Sequence, residues 1–275
     1  MNVVMVKLKK MIFSIWQELY KIVTNYTFLI SVAGLAIIIL SGTIVTEAGT
    51  FKDYNVFQLA FMQEEKRKEM IGMYGLTYER IFCMGTQGYL WMFAPVFVSA
   101  PFVVLMCSAK KNSNIRFELF RSGKTEYVLG KLFASLVCGG LVMSLSYALF
   151  SVAIHFILPT GNTLGTLDYV KRFTEMFFYG MTSTWITYIL SGFMHNRYLV
   201  LCIPFMINYF VKTQLNRGKF MGSKIASVVN PGSPSYLFSM EGSIKKWILI
   251  FWVGAFIAGT VVYRFALERR CDCGE

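Results

Sequence analysis

Charge is scarce in this sequence, and so are the side chains that usually carry catalysis. Of its 275 residues only 15% are Asp, Glu, Lys or Arg, and two are His. A soluble domain of this length needs more polar surface to cover its core. His155 and His195 have no second ligand at metal-binding spacing, so they read as interfacial or capping residues. The six cysteines form no zinc pattern. Cys107, Cys138 and Cys202 lie in apolar runs, where cysteine behaves as a small hydrophobe, and Cys83 stands alone in a loop. Cys271 and Cys273 make a C-x-C tail, read as a frayed terminus with a metal or lipid role as the alternative. Gly123-Lys124-Thr125 looks like the end of a P-loop, but Glu118 stands where the phosphate-wrapping loop needs glycine. These shortages argue against an enzyme and against a nucleotide-hydrolysing site on this chain, and no nucleic-acid partner is expected.

Apolar residues supply what charge does not. They make up 55% of the chain, with a mean hydropathy of +0.52, and they come in long blocks. Measured against the ~20 residues needed to cross a bilayer core, the candidate spans are 27–45, 89–108, 132–158, 173–194, 198–211 and 247–262. The first block begins too late for a cleavable signal peptide. The expected fold class is an all-α membrane protein: six transmembrane helices in one domain over 27–266, an amphipathic surface helix over 1–26 and a short tail over 267–275. The block 173–211 raises the question of one crossing or two. As one helix its 39 residues would make a rod of roughly 58 Å, nearly twice the ~30 Å core. The polar break His195-Asn196-Arg197 offers a turn at its middle. Six spans leave 14 Lys and Arg on one side and 13 on the other, and a single crossing over 173–211 would score better on charge. Length decides for six, with both termini cytoplasmic.

The segments outside the spans carry their own signals. Over 3–24, Lys7, Lys10, Ser14, Gln17 and Lys21 share one helical face, and Met5, Leu8, Ile12, Ile15, Leu19 and Val23 the other. With Trp16 and Tyr20 at headgroup level, this suits a helix lying on the cytoplasmic membrane surface. The external loop 46–88 predicts a helix capped by Asp53 or Asn55, running through Phe57, Phe61 and the charged run Glu64 to Glu69. The run reads as a solvated face with local ion pairs. Gly72, Gly75, Gly85 and Gly88 read as turns back to the membrane. Between the second and third spans, Asn112 or Ser113 can cap a short helix closed by Gly123, placing Phe117 and Phe120 on one side. Residues 219–228 predict one more interfacial helix.

Within the spans, the cores hold no ionisable residue; Lys131 and Glu175 sit at span ends. That argues against a self-powered secondary transporter or a charge-lined channel. The fourth span is the polar one. Thr184, Thr187, Tyr188 and Ser191 share a face, either as glue between helices or as the lining of a substrate path. Ser135, Gly139, Gly140, Gly254, Ala258 and Gly259 mark expected helix contacts, and Pro95 and Pro101 an expected kink.

In the order of its elements the chain resembles the permease subunits of type-2 ABC exporters. The stretch FELFRSGKTEYVLGKLFAS (117–135) looks like that family's connection into the third span, and VNPGSPSYLF (229–238) like its segment before the last span. The loops 46–88 and 212–246 depart from the commonest pattern. The resemblance implies that 113–123 is a coupling helix docking on an ATPase, with Ile115, Phe117, Glu118, Phe120 and Arg121 at the contact. It implies two ABC ATPase subunits holding ATP and Mg, with no cofactor on this chain. It also implies a second permease copy, in a homo- or heterodimer, in the plasma membrane of a bacterium. Systems of this shape often handle antimicrobial peptides, so the implied cargo is an amphipathic, peptide or lipid-like substrate crossing between the copies. A non-transporting membrane anchor or sensor subunit is the alternative.

Overall fold

The chain was analysed as a computed structural model. The structure describes residues 2–46, 53–85, 89–111, 123–157, 165–215, 228–240 and 242–272. Most of them are helical. The first helix, α1 (Asn2–Val23), runs into α2 (Tyr26–Ser41) across a bend of 66°. The bend has a local cause. Thr24 Oγ1 donates back to the Tyr20 carbonyl at 2.7 Å, and Asn25 accepts from the amide of Thr27, starting a new helix in a new direction.

After α2 the chain forms a two-stranded antiparallel pair, β1 (Thr43–Thr46) and β2 (Asp53–Asn55), an addition to the all-α expectation. Gly42 lets this turn sit on Gly85, whose Cα lies 2.8 Å from where a Gly42 side chain would start. The predicted single helix of the external loop is two: α3 (Val56–Ala60) and α4 (Glu64–Tyr74). Asn55 and Gln58 close a capping box on α3, while α4 carries the expected local ion pair, Lys68 to Glu64 at 2.7 Å. Gly72 lies inside α4 and makes no turn; Gly75, at φ +54°, ends the helix. Helix α5 (Tyr78–Gly85) returns the chain to the bundle, where Tyr78 hydrogen-bonds Ser151.

The bundle consists of α2, α6 (Trp91–Lys111), α7 (Lys124–Ile157), α8 (Thr166–Ser183), α9 (Trp185–Phe193), α10 (Arg197–Leu215) and α11 (Gly242–Asp272). Helix α7 is its axis, in contact with α1, α2, α6, α8 and α11. At 34 residues it is about 51 Å long, longer than an apolar core, and it begins eight residues before the span expected from 132. It packs most closely on α8, where the backbones meet at Gly139 and Gly180; a methyl on Gly180 would overlap the Gly139 carbonyl. The chain leaves helix between Phe193 and Arg197, at the polar break. A 3-10 turn (Ser233–Ser239) precedes α11 and packs on α8.

Among the described residues three helices are long and apolar enough to cross a membrane, with candidate spans Trp91–Ser108, Lys124–Phe156 and Gly242–Glu268. The bent pair of α1 and α2 brings the number to four. Helix α9 has nine residues, and α8 opens with Asp168, Lys171, Arg172 and Glu175, so neither meets that standard alone. The outward faces are apolar: Tyr198, Met206 and Phe210 on α10, Ile250, Ile257 and Val261 on α11.

Candidate functional site

Two places in the fold bear on function. One is the short helix α9, whose face of hydroxyls stood out in the sequence. All four residues are buried, and each hydroxyl is engaged. Thr184 donates to the Met181 carbonyl at 2.8 Å. Thr187 accepts from Ser99 of α6 at 3.0 Å. Tyr188 reaches the Val128 carbonyl of α7 at 3.2 Å and stacks on Tyr263 of α11, with ring centroids 4.5 Å apart. Ser191 Oγ lies 2.6 Å from the Tyr188 carbonyl and 3.7 Å from Met106 Sδ. A buried hydroxyl without a partner costs about 1–3 kcal/mol, so these contacts hold α9 in one seat among three helices. The sequence marked the α9 residues but gave no sign of Ser99 or Tyr263, whose roles depend on which helices become neighbours.

Beside α9 is a cavity of about 110 Å³, lined by residues including Thr182, Trp185, Pro204, Asn208 and Trp252. None of the four aligned hydroxyl residues lines it. It has room for a few waters at ~30 Å³ each, and not for a peptide.

The other place is the base of α7, where α1 crosses it. Lys131 is buried and donates to Glu18 at 2.6 Å; Lys21 lies 3.2 Å from the other carboxylate oxygen. Burial pushes the Glu18 carboxyl up, but the Lys131 ammonium and, less strongly, Lys21 outweigh it and hold the group below its ordinary 4.5. Ser14, expected on the cationic face of α1, turns inward against Gly130. Facing away are Ile12, Phe13, Trp16, Tyr20 and Val23, with Trp16 68% exposed. Helix α1 therefore docks through a charged seam and presents an aromatic stripe outward. The reason is geometric: Glu18 is the acidic residue within reach of Lys131, and pairing them removes two charges from an apolar wall.

The predicted coupling residues Ile115, Phe117, Glu118, Phe120 and Arg121 lie outside the described residues, as does most of 219–228. Gly123, expected to close that helix, has φ +87° and starts α7 by offering its carbonyl to the Tyr127 amide at 3.0 Å. Glu175, placed by the sequence at a span end, is fully buried. It binds Arg172 at 2.8 Å and accepts the Phe238 amide at 2.8 Å, tying the 3-10 turn to α8. No group of three potential metal ligands occurs among the described residues.

The fold thus defines a helical protein with three, or with the bent pair four, helices of membrane-crossing length and apolarity. Neither a protein-family model nor a curated protein sequence matches the chain.

Proposed function

We propose that this chain is an integral membrane protein crossing the bilayer six times, with both termini cytoplasmic, and that it is the permease subunit of an ATP-driven exporter of the type-2 ABC kind. The crossings are α2, α6, α7, the consecutive pair α8 and α9, α10 and α11. The observation that carries the reading is the join at the base of α7. Helix α1 touches both α6 and α7 there, and the Glu18–Lys131 pair locks it to α7. The 112–122 connection leaves α6 and enters α7 at this same end. A push on residues 113–123 would then reach α7 and the surface helix as one piece. Separate ATPases holding ATP and Mg would supply the push, because the ionisable residues buried on the crossing helices, Lys131 and Glu175, are held in ion pairs within the fold.

The cargo in this reading is an amphipathic, peptide-like molecule. It passes between two permease copies, whose apolar outer faces on α10 are free to meet lipid or each other. The packing of Thr184, Thr187, Tyr188 and Ser191 supports a holding role for them in the single chain. Lining a path would require α9 to move relative to α6 and α11.

The test is purification of the tagged chain in mild detergent from its own host. An ABC ATPase should copurify with it in about equal amount. A preparation that retains other proteins but never an ATPase overturns the exporter reading and leaves a membrane anchor.

A further inference from the structure

A cavity of about 760 Å³ lies at the opposite end of α2 from α1, where β1, α4, α5, the start of α6 and the end of α10 converge. Its chemistry is lopsided. Of the ten described residues that line it, two are cationic, Arg80 and Lys212, and none is acidic. Arg80 is fixed at the rim because one Nη donates to the Tyr74 carbonyl at 2.8 Å. Lys212 is held across the cleft, its Nζ 3.3 Å from the centre of the Trp91 ring. Tyr74 and Tyr89 stand beside these cations, and the inner wall is apolar, with Ile44 and Leu76 among its buried residues. The volume is that of sites for drug-sized ligands, about 300–1,000 Å³.

A free inorganic anion would use the cations and leave the apolar wall bare. A neutral hydrophobe would use the wall and make no use of the two cations. A ligand with one anionic head and one acyl chain uses both. The positions agree with this: Tyr89 and Trp91 open α6, as aromatics do at a membrane interface, and the net charge of +12 favours anions at long range. We propose that this cleft is a binding site for an anionic lipid-like amphiphile, with the head on Arg80 and Lys212 and the chain against Ile44 and Leu76. The inference uses the chain alone and does not depend on an ATPase partner.

The experiment is native mass spectrometry of the full chain in a neutral detergent. It is titrated with lysophosphatidylglycerol, with lysophosphatidylcholine of the same chain, and with inorganic phosphate. The wild type should retain the anionic lipid roughly tenfold better than the zwitterionic one, and phosphate should not bind. The preference should fall in Arg80→Gln, an exposed site whose change spares the fold, and vanish in Arg80→Gln with Lys212→Gln. Arg80→Lys with Lys212→Arg should keep it. In the wild type, high salt should shrink it without any substitution. Equal retention of the two lipids overturns the proposal. So does phosphate binding as tight as the anionic lipid, or a preference that survives both Arg80→Gln and high salt.

Discussion

Glu18 and Lys131 meet at the seam between a surface helix and the longest helix of the bundle, and no other described ion pair joins α1 to the bundle. Removing Lys131 leaves the carboxylate of Glu18 with Lys21, a more exposed partner at 3.2 Å, and costs about 1–3 kcal/mol. Lys131→Met should therefore release α1, and exchanging the pair (Glu18→Lys with Lys131→Glu) should restore part of the contact. The seam is close enough to trap chemically. Ser14 Cβ lies 3.7 Å from the position of a Gly130 Cβ, within the ~3.5–4.5 Å a disulfide spans. Ser14→Cys with Gly130→Cys, in a background with the native cysteines removed, should cross-link readily, and Lys131→Met should slow that cross-link. The seam should also respond to acid. A carboxyl held below its ordinary value in the folded state adds stability above that value, and the stability is lost as pH falls through the depressed one. The protection of the α1 amides against hydrogen exchange, corrected for the intrinsic rate at each pH, should thus be unchanged near neutrality and weaken well below pH 4.5. A seam indifferent to acid would mean that the aliphatic contacts, and not the charges, hold α1.

Helices were readable from apolar runs wherever one residue type dominated, as in α6 and α11. Their partners were not. The Gly139–Gly180 crossing was half visible, because small residues at 139 and 140 mark a close approach without naming the helix that comes close. Gly254 carried the same mark, yet among the described residues no other element comes within 4 Å of where its side chain would start. The pair makes a test. Gly180→Ala should cost about 1–3 kcal/mol by forcing α7 and α8 apart, whereas Gly254→Ala should be neutral or slightly favourable, as read by thermal unfolding in detergent. The split of α3 from α4 escaped the sequence reading because Asn55 with Gln58, and then Gln63 before Glu64, offer two starts within one short run. The latch on the 3-10 turn escaped it because Glu175 and Phe238 are 63 residues apart. Glu175→Leu strands the Phe238 amide and leaves Arg172 its longer contact to Glu79 at 3.5 Å. Hydrogen exchange over 233–240 should then speed up while α8 keeps its protection; Glu175→Gln, which keeps an acceptor, should do less.

At the scale of the molecule, the bundle separates into two ends with different chemistry. One end carries the α1 seam and the entry of α7; the other carries the β1–β2 pair, α3 to α5 and the cationic cleft. Between them the described helices are joined by hydroxyl and aromatic contacts centred on α9. In the exporter proposal such a bundle transmits a displacement that separate ATPases generate. The segment that would receive the displacement, 113–123, is also the one whose sequence carries the family resemblance. The most direct measurement is therefore the ATPase rate of the partner enzyme with wild-type chain and with Glu118→Arg, both reconstituted in lipid. The proposal predicts that the wild type stimulates hydrolysis and that Glu118→Arg, still folded and still inserted, loses most of that stimulation. Equal stimulation by both, or none by the wild type with an ATPase that is itself active, would contradict it.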